Sequence, residues 1–169
     1  MIVVRAETAE DYTAIRRVNE LAFGRPDEAD LVEALRVIAE PQVSLVAVKG
    51  GEVVGHIFFS PVTVELAGPA AVALALAPMA VVPELQRQGA GSRLVREGLK
   101  ACQDIGCSVV FVLGHPDYYP RFGFVPASLK GLRCEYDVPE EAFMVAELTP
   151  GALEGWHGVV KYLPEFGRV

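Results

Sequence analysis

The stretch Met79-Ala80-Val81-Val82-Pro83-Glu84-Leu85-Gln86-Arg87-Gln88-Gly89-Ala90-Gly91-Ser92 passes from an uncharged apolar run, through a proline, into a loop of amides and glycines that opens a helical pattern. A strand that turns straight into a helix leaves the first backbone N–H groups of that helix without carbonyl partners, and such a turn binds anions. Glycine at 89 and 91 serves this use in two ways. It accepts backbone conformations that are costly for other residues, and it lets a phosphate approach the amides with no side chain in the way. Between Leu85 and Lys100, Arg87, Arg93, Arg96 and Lys100 stand against Glu97, a local net of +3 inside an acidic chain, so a polyphosphate ligand is implied. No Gly-Lys-Ser or Gly-Lys-Thr follows, which excludes a Walker A loop, and the third glycine of the dinucleotide pattern Gly-x-Gly-x-x-Gly is missing. A turn whose glycines serve close packing alone is the competing reading.

Working outward, Ala71 to Val82 alternates small and large apolar residues without a charge, as in a strand buried on both faces at the centre of a sheet. Upstream, Val43 to Val48, the Gly50-Gly51 pair and Val53 to Val64 predict an antiparallel hairpin with a long returning strand, followed by a turn at Gly68-Pro69. Ile2 to Val4 reads as an opening strand. Thr8 and Asp11 then resemble a capping box for a helix whose stripe of Tyr12, Ile15, Val18 or Asn19, and Ala22 stops at Phe23-Gly24. A second helix is predicted over Asp27 to Ala39, with Leu31, Leu35 and Ile38 inward and Pro41 as its stop. Downstream, Leu94, Val95, Gly98, Leu99, Cys102 and Ile105 keep a period of about 3.6 residues between Gly89 and Ile105, with Gly106 as the cap. Val109 to Leu113 reads as a strand, Pro116 to Phe122 as a short helix and Ala142 to Leu148 as a further strand. The expected architecture is one α+β domain over residues 1–169, a mixed, mostly antiparallel central sheet flanked by helices.

At 169 residues, 51% of them hydrophobic, the chain can fill one full core. Its 15 Lys plus Arg against 22 Asp plus Glu, a formal net of -7, argue against general binding to a nucleic-acid backbone. Glu65 and Gly68-Pro69 interrupt the longest apolar candidate well before the roughly 20 residues that span a bilayer. Arg5 and Glu7 break the N-terminus too early for a signal peptide, so the expectation is a cytoplasmic protein with neither membrane nor nucleic acid as partner. Cys102, Cys107 and Cys134 lack CxxC spacing, and with His56, His115 and His157 scattered they form no zinc pattern; reduced buried thiols and no metal are expected.

Gln86-x-x-Gly89-x-Gly91 after the strand Met79 to Pro83 resembles the acetyl-CoA signature of the GNAT N-acetyltransferase superfamily. Tyr119-Pro120-Arg121-Phe122-Gly123-Phe124 is similar to the Tyr-x-x-x-Gly-Phe segment that follows it in that family, and the order of elements agrees. The resemblance implies a GNAT-like fold and acetyl-CoA as cosubstrate. It places the backbone of Met79, Ala80 and Val81 along the pantetheine arm, and Arg87, Gln88, Gly89, Ala90, Gly91 and Ser92 around the pyrophosphate. It further implies a strand N–H that polarises the thioester carbonyl, direct attack by a primary amine of a small-molecule or protein acceptor, and Tyr119 as the general acid for the leaving thiolate. Tyr118 is the substitute if the register slips by one residue. Pro120 departs from the family, where a polar or charged residue is commoner, and it disfavours helical geometry at Tyr119.

No spacing singles out a general base among Glu65, Glu84, Glu147, His56 and His115, although His115 stands at the end of the strand beside the cofactor cleft; a water chain would suffice. Arg25, within Phe23-Gly24-Arg25-Pro26, and the terminal residues Trp156, His157, Tyr162 and Phe166 are acceptor-side candidates, with solvation or ordinary packing as the alternative for each. The competing function is a non-catalytic acyl-CoA-binding sensor. The acceptor, the acyl-chain length and the oligomeric state stay open, a homodimer among the assemblies allowed.

Overall fold

The computed structural model of the chain describes residues 1–67 and 72–169; the expected turn at Gly68-Pro69 and the expected strand start at Ala71 lie outside the described residues. Strand β1 (Ile2–Ala6) leads through a 3-10 turn (Ala9–Asp11) into helix α1 (Tyr12–Phe23). That start is the one the Thr8/Asp11 spacing predicts: the Asp11 carboxylate accepts the Thr8 N–H at 2.8 Å, and the Asp11 N–H donates to the Thr8 carbonyl at 2.9 Å. Helix α2 (Asp27–Ile38) follows, then β2 (Val43–Lys49), β3 (Glu52–Pro61), β4 (Thr63–Leu66) and β5 (Ala73–Val81). Helix α3 (Ala90–Asp104) leads to β6 (Val109–Leu113), a 3-10 turn (Tyr119–Phe122), β7 (Val125–Pro126), β8 (Leu132–Cys134), β9 (Phe143–Glu147) and β10 (His157–Lys161).

Seven strands form the main sheet in the order β1-β2-β3-β5-β6-β9-β7, so the uncharged β5 is its middle strand, as its sequence predicts. Every pairing is antiparallel except β5 with β6, which are parallel and joined through α3. Alternation along β3 fixes the layers. His56 faces Asn19 of α1, whereas Gly55 faces Leu94 and Phe59 faces Gly98 of α3, so α1 and α3 cover opposite faces. At position 98 a Cβ would run into the Phe59 ring, so glycine sets how closely α3 can lie on the sheet.

Several expectations are corrected. Val53 to Val64 is not one long strand. It divides at Val62, because Pro61 cannot donate to the ladder, and β4 leaves the main sheet to pair with β10. The helix expected over Pro116 to Phe122 is reduced to the 3-10 turn Tyr119–Phe122, with Pro120 just inside its start. Ile38 and Ile105, expected inward, are 49% and 48% exposed because each stands at the very end of its helix, beyond the contact with the sheet. A second sheet, β4-β10-β8, was not expected from the sequence. It covers a separate apolar cluster that includes Val62, Ala75, Phe111, Val145, Trp156 and Val160. Among the described residues, no helix is long and apolar enough to cross a membrane.

A buried polar cluster sits between β1, β2, β3 and the two N-terminal helices. Glu7 accepts two hydrogen bonds from Arg36, at 2.9 and 3.1 Å, and the single Ser44 hydroxyl proton at 2.5 Å. Ser44 Oγ must therefore accept from His56 Nε2, 2.8 Å away, which leaves His56 Nδ1 to accept from Asn19 Nδ2 at 3.4 Å. His56 is thus a neutral imidazole, fully buried, and burial holds its pKa down to about 3 against the opposing pull of Glu7. The unfolded chain binds a proton at this histidine below its ordinary pKa of about 6.5, whereas the folded chain does not until about pH 3. Stability contributed here is therefore fully present above the unfolded value and falls as the pH drops below it, by up to about tenfold in the folding equilibrium per pH unit. The urea midpoint should fall between about pH 7 and about pH 5, and His56→Gln should flatten that dependence. A wild-type midpoint indifferent to pH over this range would contradict a neutral buried His56.

Candidate active site

Where β5 ends, Gln86 Nε2 donates to the Val81 carbonyl at 2.9 Å and fastens the following loop to the strand. The chain then reverses through Arg87 (φ 64) and Gly89 (φ 93). Arg87 is the one non-glycine among the described residues with positive φ, a conformation that costs about 1–2 kcal/mol and concentrates at ligand-binding turns. The first backbone bond into α3 runs from the Arg93 N–H to the Gly89 carbonyl at 3.1 Å, so the amides of Ala90, Gly91 and Ser92 have no intrahelical acceptor. Gly91 and Ser92 border a cleft of about 600 Å³ whose walls also include Met79 and Val81 of β5, Gln86, Arg87 and Gly89 of the loop, and Tyr118 and Arg121.

Gly91 draws three elements together. Its φ is ordinary, but a Cβ there would lie 3.3 Å from Tyr118 Oη and 3.6 Å from Met79 Cε. Tyr118 Oη is 3.1 Å from Ser92 Oγ, and Arg121 stacks 4.6 Å over the Tyr118 ring while its Nε donates to the Tyr118 carbonyl at 2.9 Å. Positive charge in the cleft therefore comes from Arg87 and Arg121. The other basic residues of this segment are occupied differently: Arg93 donates to the Ile2 carbonyl, Arg96 lies 5.2 Å over Phe122, and Lys100 lines a groove beside Arg5, Glu97 and Asp104.

Tyr119 is 8% exposed, edge-on to Tyr118 and Phe124, with its ring against Gly114, where a Cβ would collide with it. It does not line the cleft; Tyr118 does. Burial beside Tyr118 pushes the Tyr119 phenol up to about 12, so it stays protonated at neutral pH. β5 and β6 pair as far as Leu76↔Val112 and then separate, and Gly114 lies just beyond that point. Through Gly114, Tyr119 packs beside the point where the two strands part, and it lines neither the cleft nor the cavity described next. A second cavity of about 480 Å³ opens at the same place, where Ala77 of β5 and Leu113 of β6 meet Tyr136, Tyr162 and Phe166.

The family model described as Acetyltransferase (GNAT) domain matches residues 3–127. The chain belongs to the GNAT acetyltransferase family. Two Escherichia coli K12 proteins bearing the name uncharacterized N-acetyltransferase are similar to it: YjhQ, 44% identical over 82% of this chain and 80% of the relative, and YhbS, 36% identical over 99% of each. The crystal structure of E. coli YhbS in complex with CoA superposes with a TM-score of 0.91, covering 99% of this chain and 92% of that one. A Brucella melitensis GNAT family acetyltransferase in complex with acetyl-CoA, 32% identical, gives a TM-score of 0.80 over 98% of each chain.

Of the residues that the GNAT resemblance nominated, Met79, Val81, Arg87, Gly89, Gly91 and Ser92 line the cleft. Ala80 is buried and paired with His56 on β3, Gln88 turns its side chain to the Glu84 carbonyl, and Ala90 is buried in the first turn of α3. Arg121 was missed; its signal was a basic residue inside the tyrosine motif. None of the residues weighed as a base lines the cleft. His56 belongs to the buried cluster, Glu65 accepts the Val159 N–H at 3.4 Å, and Glu147 accepts the Leu153 N–H at 3.0 Å. Glu84 stays on the surface, and His115 is exposed on a shallow depression beside Leu113 and Glu141. Arg25 is held by Glu28 and Asp27. Trp156 packs in the second apolar cluster and His157 is exposed on β10, whereas Tyr162 and Phe166 do line the second cavity. Among the described residues, no group of three or more His, Cys, Asp or Glu side chains is placed to hold a metal.

Proposed function

We propose that this GNAT protein moves an acetyl group from acetyl-CoA to a primary amine of a small molecule or protein by direct attack. The observation that carries the reading is the cleft at the end of β5, where the open amides of Ala90, Gly91 and Ser92, together with Arg87 and Arg121, suit a diphosphate. From there the edge of β5 past Val81 and Met79 leads toward Ala77, where the second cavity opens. An extended pantetheine arm following that edge would bring its thioester to the opening between β5 and β6, facing the acceptor across it. The amine nitrogen attacks the thioester carbon and the C–N bond forms as the C–S bond breaks. The nitrogen sheds one proton and the sulfur gains one, giving an N-acetyl amine and free coenzyme A thiol. Tyr119, protonated and beside Gly114 at that opening, is the proposed donor to sulfur; Tyr118, hydrogen-bonded to Ser92, would bind the cosubstrate nearer the diphosphate. A cytoplasmic setting suits the free cysteines Cys102, Cys107 and Cys134.

Acetyl-CoA should raise the melting temperature by several degrees at saturating concentration and exceed the shift given by ATP or NAD at the same concentration. Thiol release from acetyl-CoA, followed with and without amines, then tests turnover. A larger shift with ATP or NAD would remove the basis for the assignment, and binding with no amine-dependent thiol release would favour the acyl-CoA sensor.

A further inference from the structure

From the second cavity we infer that the acceptor is a primary amine carried on an apolar, ring-sized body. This rests on the acetyltransferase reading, since the cavity begins at Ala77 and Leu113, where β5 and β6 part. Its volume of about 480 Å³ is that of a small-molecule site, for which about 300–1,000 Å³ is usual. Its walls include Ala77, Leu113, Tyr136, Tyr162, Phe166 and Val169, and none of the described residues that line it has a carboxylate or cationic side chain. Three aromatic rings form one side: Tyr162 lies 5.8 Å from Tyr136 and 5.0 Å from Phe166, centroid to centroid. Such a surface gains most from burying an aromatic or branched aliphatic group.

Two features bear on the amine itself. An apolar slot disfavours the ammonium form, so it lowers the amine's pKa on binding and raises the fraction of neutral nucleophile, a useful effect in a site where none of the weighed bases lines the cleft. In addition, the Tyr162 hydroxyl is buried with no hydrogen-bond partner, and burial holds the phenol in its protonated form. The rival is a polycation drawn to the neighbouring 250 Å³ cavity, which has Asp27, Asp30 and Glu165 on its walls together with Arg168. Asp30 is already paired with Arg16 at 2.9 Å and Asp27 lies 3.7 Å from Arg25, although Glu165 Oε1 is buried without a partner.

The test is a comparison of kcat/KM for thiol release from acetyl-CoA with 2-phenylethylamine, ethanolamine, spermidine and a lysine-containing peptide. The phenyl compound should exceed ethanolamine by about tenfold or more, as burial of its ring predicts. Tyr136→Ala, at a residue 36% exposed and so tolerant of truncation, should cut that advantage while leaving acetyl-CoA affinity unchanged. Equal or better turnover of ethanolamine, spermidine or the peptide overturns the inference and leaves the acetyltransferase reading standing. Absence of thiol release with every amine would count against that reading instead. Calorimetry of 2-phenylethylamine with the CoA-loaded protein then decides the cavity separately: binding that Tyr136→Ala weakens supports it, and no binding overturns it.

Discussion

Gly91→Glu should abolish measurable acetyl-CoA binding in a protein that still folds. The backbone at 91 has an ordinary φ, so a side chain brings no conformational strain, and the position is partly open to solvent. The obstruction is local. The new Cβ meets Tyr118 Oη at 3.3 Å and Met79 Cε at 3.6 Å, and the carboxylate beyond it enters a space bordered by the α3 amides and Arg87. A further negative charge set against a diphosphate costs several kcal/mol, so calorimetry should show affinity falling by about 100-fold or more. Gly91→Ala supplies the steric part alone and should lose much less. Circular dichroism and the melting temperature of the unliganded protein should stay close to wild type in both variants. Unchanged affinity in Gly91→Glu would make the loop a packing device.

Local sequence made the central part of this molecule legible and its periphery obscure. The uncharged run of β5, the Gln86 to Ser92 loop and the stripe of α3 each carry their own signal, because a strand buried on both faces and an amphipathic helix are recognisable without knowing their neighbours. β4, β8 and β10 carry no such signal: they have four, three and five residues, and they exist as a sheet only because distant segments meet. The apparent continuity of Val53 to Val64 hid the change of sheet at Pro61. The charge count of the phosphate segment was legible, but its destinations were not. Arg93 and Lys100 lie on other faces of α3, while the second arginine of the cleft, Arg121, comes from a turn distant in sequence. Adjacent tyrosines pose the same problem at closer range, since in a tight 3-10 turn successive side chains point in widely different directions. The sequence motif aligns Tyr119 with the family's acid, whereas the cleft surface belongs to Tyr118.

Tyr119→Phe separates these roles. If the Tyr119 phenol protonates the leaving thiolate, loss of that one oxygen should lower kcat by roughly 100-fold or more, the usual scale of general acid catalysis, with little change in acetyl-CoA affinity. Ring packing against Gly114, Phe124 and Tyr118 is kept by phenylalanine, so a melting temperature near wild type is expected. Tyr118→Phe should behave in the opposite sense. Its hydroxyl contacts Ser92 at 3.1 Å in the phosphate loop, so KM for acetyl-CoA should rise while kcat falls less. The pH profile adds a further check: with the Tyr119 phenol held up to about 12, wild-type kcat should show no loss from this group until the pH approaches that value. A larger kcat loss in Tyr118→Phe would move the acid to the residue that lines the cleft. No kcat loss in either variant, measured where chemistry limits turnover, would mean that the thiolate takes its proton from water.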